Sequence, residues 1–189
     1  MIILVTGGSA SGKSAYAEML AREGGAVTRY YVAAMKPYGE EGKARVEKHR
    51  RMRREGRFVT IERYERLEEL VLPGTEPAGR RAVLLECMSN LLANEQFGEG
   101  GSDEEIRKRV QAGILCLKKQ TKDLIIVTNE VFSDGEDYDP ETRRYIRLLG
   151  ELNCWLAGQA DQVTEVVFGI PVIIKGGKRE AGGEDGEGI

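Results

Sequence analysis

Ile2-Ile3-Leu4-Val5-Thr6 runs directly into Gly7-Gly8-Ser9-Ala10-Ser11-Gly12-Lys13-Ser14, and Tyr16, Met19 and Leu20 then recur at helical spacing up to Gly24-Gly25. The apolar, β-branched opening that stops at two glycines reads as a buried strand, and Ser14 to Arg22 reads as a helix. The eight residues between match G-x-x-x-x-G-K-[ST], and a strand before with a helix after is the context that pattern requires. The physics is direct. Glycines let backbone N–H groups turn inward, the helix N-terminus adds partial positive charge, Lys13 neutralises β- and γ-phosphates, and the Ser14 hydroxyl is a ligand for Mg²⁺. The plain alternative is a glycine-rich turn that happens to contain Lys-Ser, and the flanking strand and helix speak against it.

Working outward, strands are predicted at Tyr30 to Ala34, Phe58 to Ile61, Ala82 to Leu85 and Leu124 to Thr128, with a closing pair at Val163 to Phe168 and Val172 to Lys175. Helices are predicted over the charged stretch Glu40 to Arg54, briefly around Leu67, Leu70 and Val71, after Ser102, and after Pro140. Ser102 and Glu105 are spaced as a capping box, and Ile106, Val110, Ile114 and Leu117 follow on one face. Tyr145, Leu148, Leu149, Leu152, Trp155 and Leu156 line the last helix. Strands alternating with helices imply an α/β fold of the RecA-like P-loop NTPase type. Its sheet is expected to be mostly parallel, with helices on both faces and a closing antiparallel strand. Residues 1–175 are expected to form a single domain, and the Gly/Glu-rich 176–189 a disordered tail.

The 189 residues carry a net charge of −3, which gives no general attraction to nucleic acid or to an anionic membrane. No apolar run is long enough to span a bilayer, and the N-terminus reads as a first strand rather than a signal peptide, so a cytoplasmic location is expected. Cys87, Cys116 and Cys154 are odd in number and far apart, with no CxxC pair; they read as reduced packing thiols.

A P-loop needs a carboxylate near its metal. Ala82-Val83-Leu84-Leu85-Glu86 places Glu86 at the carboxyl end of a strand, where ligands gather in open α/β sheets. Glu86 is therefore a candidate metal ligand with Ser14, against the alternative of a solvated strand-end carboxylate. Asn129-Glu130 occupies an equivalent strand end, suited either to orient a substrate hydroxyl or water or to cap a loop. His49, the single histidine, lies in Arg45-Val46-Glu47-Lys48-His49-Arg50-Arg51-Met52-Arg53-Arg54. At helical spacing Arg45, His49 and Arg53 share a face, where like charges are destabilising unless an anion sits between them. Nearby cations disfavour the imidazolium and leave a neutral ring nitrogen free as a nucleophile. The alternative reading is a solvated basic helix.

These residues together resemble the adenosylcobinamide kinase/adenosylcobinamide-phosphate guanylyltransferase family of cobalamin biosynthesis. The resemblance runs colinearly from Ile2 to about Lys175. It is carried by the P-loop, Tyr31-Val32-Ala33-Ala34, Glu41, Arg45, His49-Arg50 and Arg53, then Thr60, Glu62, Leu84-Leu85-Glu86-Cys87, Asn94 and Thr128-Asn129-Glu130-Val131, and finally Asn153, Leu156-Ala157 and Ala160-Asp161. The resemblance implies a two-step enzyme with Lys13 and His49 as catalytic groups. His49 would attack the α-phosphate of GTP to give a covalent guanylyl-histidine, and the same fold would perform the preceding kinase step with GTP or ATP and Mg²⁺. It implies that Gly7, Gly8, Ser9, Ala10, Ser11, Gly12, Lys13, Ser14, Ala33, Ala34, Met35, Arg50, Arg51, Met52, Arg53, Glu62 and Glu86 bind nucleotide, and that the acceptor is a corrinoid. It also implies a homo-oligomer, a trimer, with the nucleotide between subunits.

The sequence departs from the family pattern at Ala10, where arginine is usual, across Phe132 to Pro140, at Tyr145-Ile146-Arg147, and by an extra residue between Arg53 and Phe58. The nucleotide half keeps the pattern more closely than the substrate half. Two other readings are a divergent P-loop small-molecule kinase without guanylyl transfer, and a nucleotide-dependent switch protein.

Overall fold

The computed structural model describes residues 1–36, 57–130 and 138–176. Seven strands are present among the described residues: β1 (Ile2–Thr6), β2 (Thr28–Ala33), β3 (Phe58–Glu62), β4 (Arg81–Glu86), β5 (Asp123–Val127), β6 (Gln162–Val167) and β7 (Ile170–Lys175). They form one sheet in the order β3-β2-β4-β5-β1-β6-β7. All neighbours run parallel except β6 and β7, which pair antiparallel across a two-residue turn with Val167 opposite Ile170. β5 thus lies between the strand that leads into the P-loop and the strand that carries Glu86. This is the mostly parallel RecA-like P-loop architecture expected from the sequence.

Among the described residues four α-helices cover the sheet: α1 (Lys13–Glu23), α2 (Met88–Asn94), α3 (Asp103–Lys119) and α4 (Pro140–Gln159). Side chains alternate between faces along each strand. Ile3, Val5, Leu84, Ile125 and Val127 point to the α1 face, where Ala17 and Ala21 let the helix approach closely. Ile2, Leu4, Val83, Leu85, Leu124 and Ile126 point to the opposite face, against Leu91 and Leu92 of α2, Ile106, Ile114 and Leu117 of α3, and Leu148, Leu149 and Leu152 of α4. Both faces are therefore covered, which is why the inner strands read as continuous apolar runs rather than alternating ones. Each fully buried Leu or Ile contributes roughly 1.5–3 kcal/mol through area removed from water.

The caps follow the sequence signals. Ser102 Oγ accepts from the Glu105 N–H at 3.3 Å and Glu105 Oε2 accepts from the Ser102 N–H at 2.8 Å, closing the capping box. Asp139 Oδ1 accepts from the N–H groups of Glu141 (2.9 Å) and Thr142 (3.0 Å), with Pro140 at the first helical position. α1 alone among these three longer helices begins with no side-chain cap and no acidic residue in its first turn.

Some elements differ from expectation. α2 and the π-turn that continues it over Glu95–Glu99 were not foreseen. Ser89, Asn90 and Asn94 are weak helix formers, and burial of Met88, Leu91 and Leu92 overrides that preference. The brief helix near Leu67 is a single 3₁₀ turn, Leu67–Glu69. β7 begins at Ile170, two residues earlier than its apolar run suggested. The predicted helix Glu40 to Arg54, the segment Val131 to Asp137, and the tail from Gly177 lie outside the described residues.

Candidate active site

The loop between β1 and α1 takes a shape that only particular residues permit. Gly7 has φ +147°, and a Cβ there would lie 2.5 Å from the Val166 carbonyl oxygen. Gly12 has φ +94° and serves as the N-cap of α1. These two positions require glycine, and they let the chain turn tightly enough to present its amides inward. Ser11 Oγ is buried inside this curve without a hydrogen-bond partner. An uncapped helix N-terminus, a glycine-built turn and an unsatisfied hydroxyl together form a cradle fitted to an anion with several acceptor oxygens.

Lys13 supplies the charge. Its side chain is buried, and its ammonium donates to the Gly8 carbonyl at 2.8 Å. Burial pulls its pKa below the ordinary lysine value, and the neighbouring Glu86 carboxylate acts in the opposite direction. A phosphate group would restore the compensation that water gives an exposed ammonium.

Glu86 faces the same loop. Ser14 Oγ donates to Glu86 Oε1 at 2.5 Å, and the Tyr31 hydroxyl donates to Oε2 at 2.8 Å. Residues 72 positions apart are thus joined at the mouth of the cradle, because Glu86 ends β4 on the α1 face and Ser14 lies in the first turn of α1. A hydroxyl and a carboxylate side by side form an oxygen donor set suited to a hard divalent cation, which characteristically completes its shell with water and phosphate oxygens. Among the described residues no group of three or more His, Cys, Asp or Glu converges as a transition-metal site would require.

A second polar cluster sits beside the first, where β4 and β5 end. Asn129 Nδ2 donates to Ser89 Oγ at 2.7 Å, Asn90 Nδ2 donates to Cys87 Sγ at 3.2 Å, and Cys87 Sγ lies 3.0 Å from Ser89 Oγ. Tyr145 of α4 donates to the Ser89 carbonyl at 3.1 Å, and burial pushes its pKa up to about 12. Burial also pushes the Cys87 thiol up, so it stands here as a neutral group and not as a thiolate. All three cysteines are free, as expected.

The remaining sequence-predicted residues are distributed along the carboxyl edge of the sheet. Ala33 pairs with Glu86 on one side and with Glu62 on the other. Ala34 donates its N–H to the Glu86 carbonyl at 2.9 Å, and Asn94 Nδ2 donates to the Ala34 carbonyl at 2.7 Å. Glu62 is exposed and accepts from the Tyr64 hydroxyl at 2.8 Å. β3 stands four strands away from β1, roughly 19 Å at the usual spacing, so Glu62 and the P-loop occupy opposite parts of the edge. The structure brings Lys13, Ser14 and Glu86 together, sets Ala33 on the strand beside Glu86, and leaves Glu62 to one side. His49 and Arg50 to Arg53 lie outside the described residues.

Comparison with known proteins decides the family. The description "cobinamide kinase / cobinamide phosphate guanyltransferase" matches residues 3–174. The chain belongs to the cobinamide kinase/cobinamide phosphate guanyltransferase family. A relative from Escherichia coli (strain K12), named bifunctional adenosylcobalamin biosynthesis protein CobU, is 36% identical over 189 residues, covering 93% of this chain and 100% of the relative. A protein of the same name from Salmonella typhimurium is 34% identical, with the same shares covered. Bifunctional adenosylcobalamin biosynthesis protein CobP from Pseudomonas aeruginosa is 31% identical over 176 residues, covering 92% of this chain and 96% of the relative.

In this cobinamide kinase/guanyltransferase family member, sequence reasoning overlooked Tyr31, Ser89 and Asn90 as site residues. A signal for Tyr31 existed: by strand alternation it shares the α1 face with Glu86. For Ser89 and Asn90 the signal was weaker, two polar residues inside an otherwise apolar stretch directly after a strand end. Glu86→Gln keeps the side-chain shape and removes the charge that a cation would meet. It is expected to lower phosphoryl transfer about 100-fold and to raise the divalent-cation concentration at half-maximal rate, with an unchanged melting temperature. Steady-state rates across a Mg²⁺ titration check this.

Proposed function

We propose that the protein phosphorylates the free hydroxyl of adenosylcobinamide and then converts the phosphate product to its GDP derivative. The observation that carries the first step is the Ser14–Glu86 contact beside buried Lys13, at the uncapped start of α1. Phosphoryl transfer asks chiefly for positioning and charge neutralisation, and this arrangement supplies both. Residues Gly7 to Ser14 hold the triphosphate of the donor, GTP or ATP. Ser14 and Glu86 hold Mg²⁺, which when bound neutralises charge on the phosphate oxygens. Lys13 stabilises charge on the β- and γ-phosphates as the bond between the γ-phosphorus and the departing nucleoside diphosphate lengthens.

The second step uses His49. Its ring nitrogen attacks the α-phosphorus of GTP, pyrophosphate leaves, and a phosphate oxygen of the first product then displaces the histidine from the GMP unit. Splitting the transfer in this way is nucleophilic catalysis. Ala33, Ala34, Met35, Arg50, Arg51, Met52, Arg53 and Glu62, with Glu86, line this guanylyl site. The family match and the names of the relatives support the acceptor and the pairing of activities. We further infer a cytoplasmic homotrimer; no described helix is long and apolar enough to cross a membrane.

The test is chemical. Adenosylcobinamide incubated with the protein, Mg²⁺ and γ-labelled GTP or ATP is expected to become labelled, and unlabelled GTP is expected to extend the product by a GMP unit, both followed by mass spectrometry. Nucleotide consumption without any labelled corrinoid would contradict the reading.

A further inference from the structure

Apart from Glu86 at the end of β4, the residues assigned to the guanylyl site belong to β2, β3 and the sequence between them, whereas the phosphates of the phosphoryl donor belong at the P-loop. The base of that donor needs a contact of its own. The β6–β7 turn lies directly against the P-loop on the other side of β1. The Gly169 N–H donates to the Ser11 carbonyl at 2.8 Å, and a Cβ on Gly12 would lie 3.3 Å from the Gly169 Cα. The same hairpin presses the Val166 carbonyl against Gly7. The hairpin is thus clasped to the phosphate cradle through Val166 and Gly169, which meet Gly7, Ser11 and Gly12.

At the tip stands Phe168, 94% exposed. It occupies the first position of a two-residue hairpin loop with φ +50°, followed by Gly169 at φ +81°. Such loops favour Asn, Asp or Gly at that first position, and a bulky aromatic with positive φ is an outlier. Neither local backbone preference nor burial within the single chain accounts for a phenyl ring there. Strain held next to a binding loop is a pointer to function.

We infer that Phe168 is the stacking platform for the nucleobase of the phosphoryl donor held in the P-loop. The ligand class is a purine nucleoside triphosphate, its phosphates on Gly7 to Ser14 and its base laid on the ring at the hairpin tip. Stacking on an aromatic face is tolerant of base identity, so this contact adds affinity without choosing between ATP and GTP. The inference rests on the nucleotide site proposed above and adds a residue on the opposite flank from Glu62.

Two ligands separate base from phosphate: a β,γ-imido purine nucleoside triphosphate and inorganic tripolyphosphate, each titrated calorimetrically with Mg²⁺ into the full-length protein. Phe168→Ala is expected to weaken the nucleotide about 10-fold and to leave tripolyphosphate unchanged, and Phe168→Trp to retain wild-type affinity for both. Equal loss of both ligands would overturn the inference, because the residue would then only scaffold the loop. Unchanged affinity for both would overturn it too, as would a variant whose sole change is a lower sedimentation coefficient, since the exposed ring would then belong to an assembly face with Ile170 and Ile174. Wild-type protein that binds neither ligand would overturn the phosphate site itself along with its base platform.

Discussion

Wild-type protein incubated with α-labelled GTP is expected to carry covalent label through denaturation, and His49→Ala is expected to carry none. The bond at issue joins a ring nitrogen to phosphorus, so the label should be lost in acid and survive alkali. With no other histidine in the chain, no second imidazole can substitute. Removing a covalent nucleophile from a site that otherwise binds its substrate costs roughly 10⁴-fold or more in the dependent step. GMP transfer should fall by that order while formation of the phosphorylated corrinoid persists, since the kinase step runs at the P-loop. An adduct that remains in His49→Ala would place the nucleophile elsewhere, and wild-type protein that never becomes labelled would leave the kinase as its single activity.

Lys13→Met is expected to act on the other half of the chemistry. The ammonium is buried, bonded to the Gly8 carbonyl at 2.8 Å, and desolvated enough to lower its pKa. Its charge is thus held ready where phosphate charge would develop, with little water to rearrange. Loss of such a preorganised cation should reduce phosphoryl transfer about 10³-fold and weaken tripolyphosphate binding. Methionine preserves the length of the side chain and removes a desolvated charge, so thermal stability should be unchanged or slightly raised, which distinguishes loss of chemistry from loss of fold. A drop in melting temperature that accounts for the lost rate would refute the catalytic role; thermal melts beside initial rates decide it.

Much of this molecule is legible in its sequence. Composition and periodicity marked every described strand to within a residue or two; the inner strands stand out because strands buried on both faces must be apolar throughout, and the exposed β7 because its run is apolar all the same. Ser102 with Glu105, and Pro140, marked helix starts through signals local in sequence, a reciprocal hydrogen-bonded cap in the first case and a fixed φ in the second. The P-loop was the clearest feature, since its glycines, lysine and serine each answer a separate geometric or electrostatic demand within eight residues. What escaped was α2, whose polar residues disfavour a helix in isolation and whose apolar residues find partners only on other elements.

The sequence by itself determined the phosphate cradle, the alternation that makes a parallel sheet, and the family, because each is written in contiguous or regularly spaced residues. Only the tertiary structure decided that Glu86 meets Ser14 across 72 positions, that Tyr31 steadies the same carboxylate, and that the β6–β7 turn is clasped to the P-loop with Phe168 at its tip. Strand order decides which distant ends become neighbours, and that order is set by the packing of whole faces rather than by any local stretch of chain.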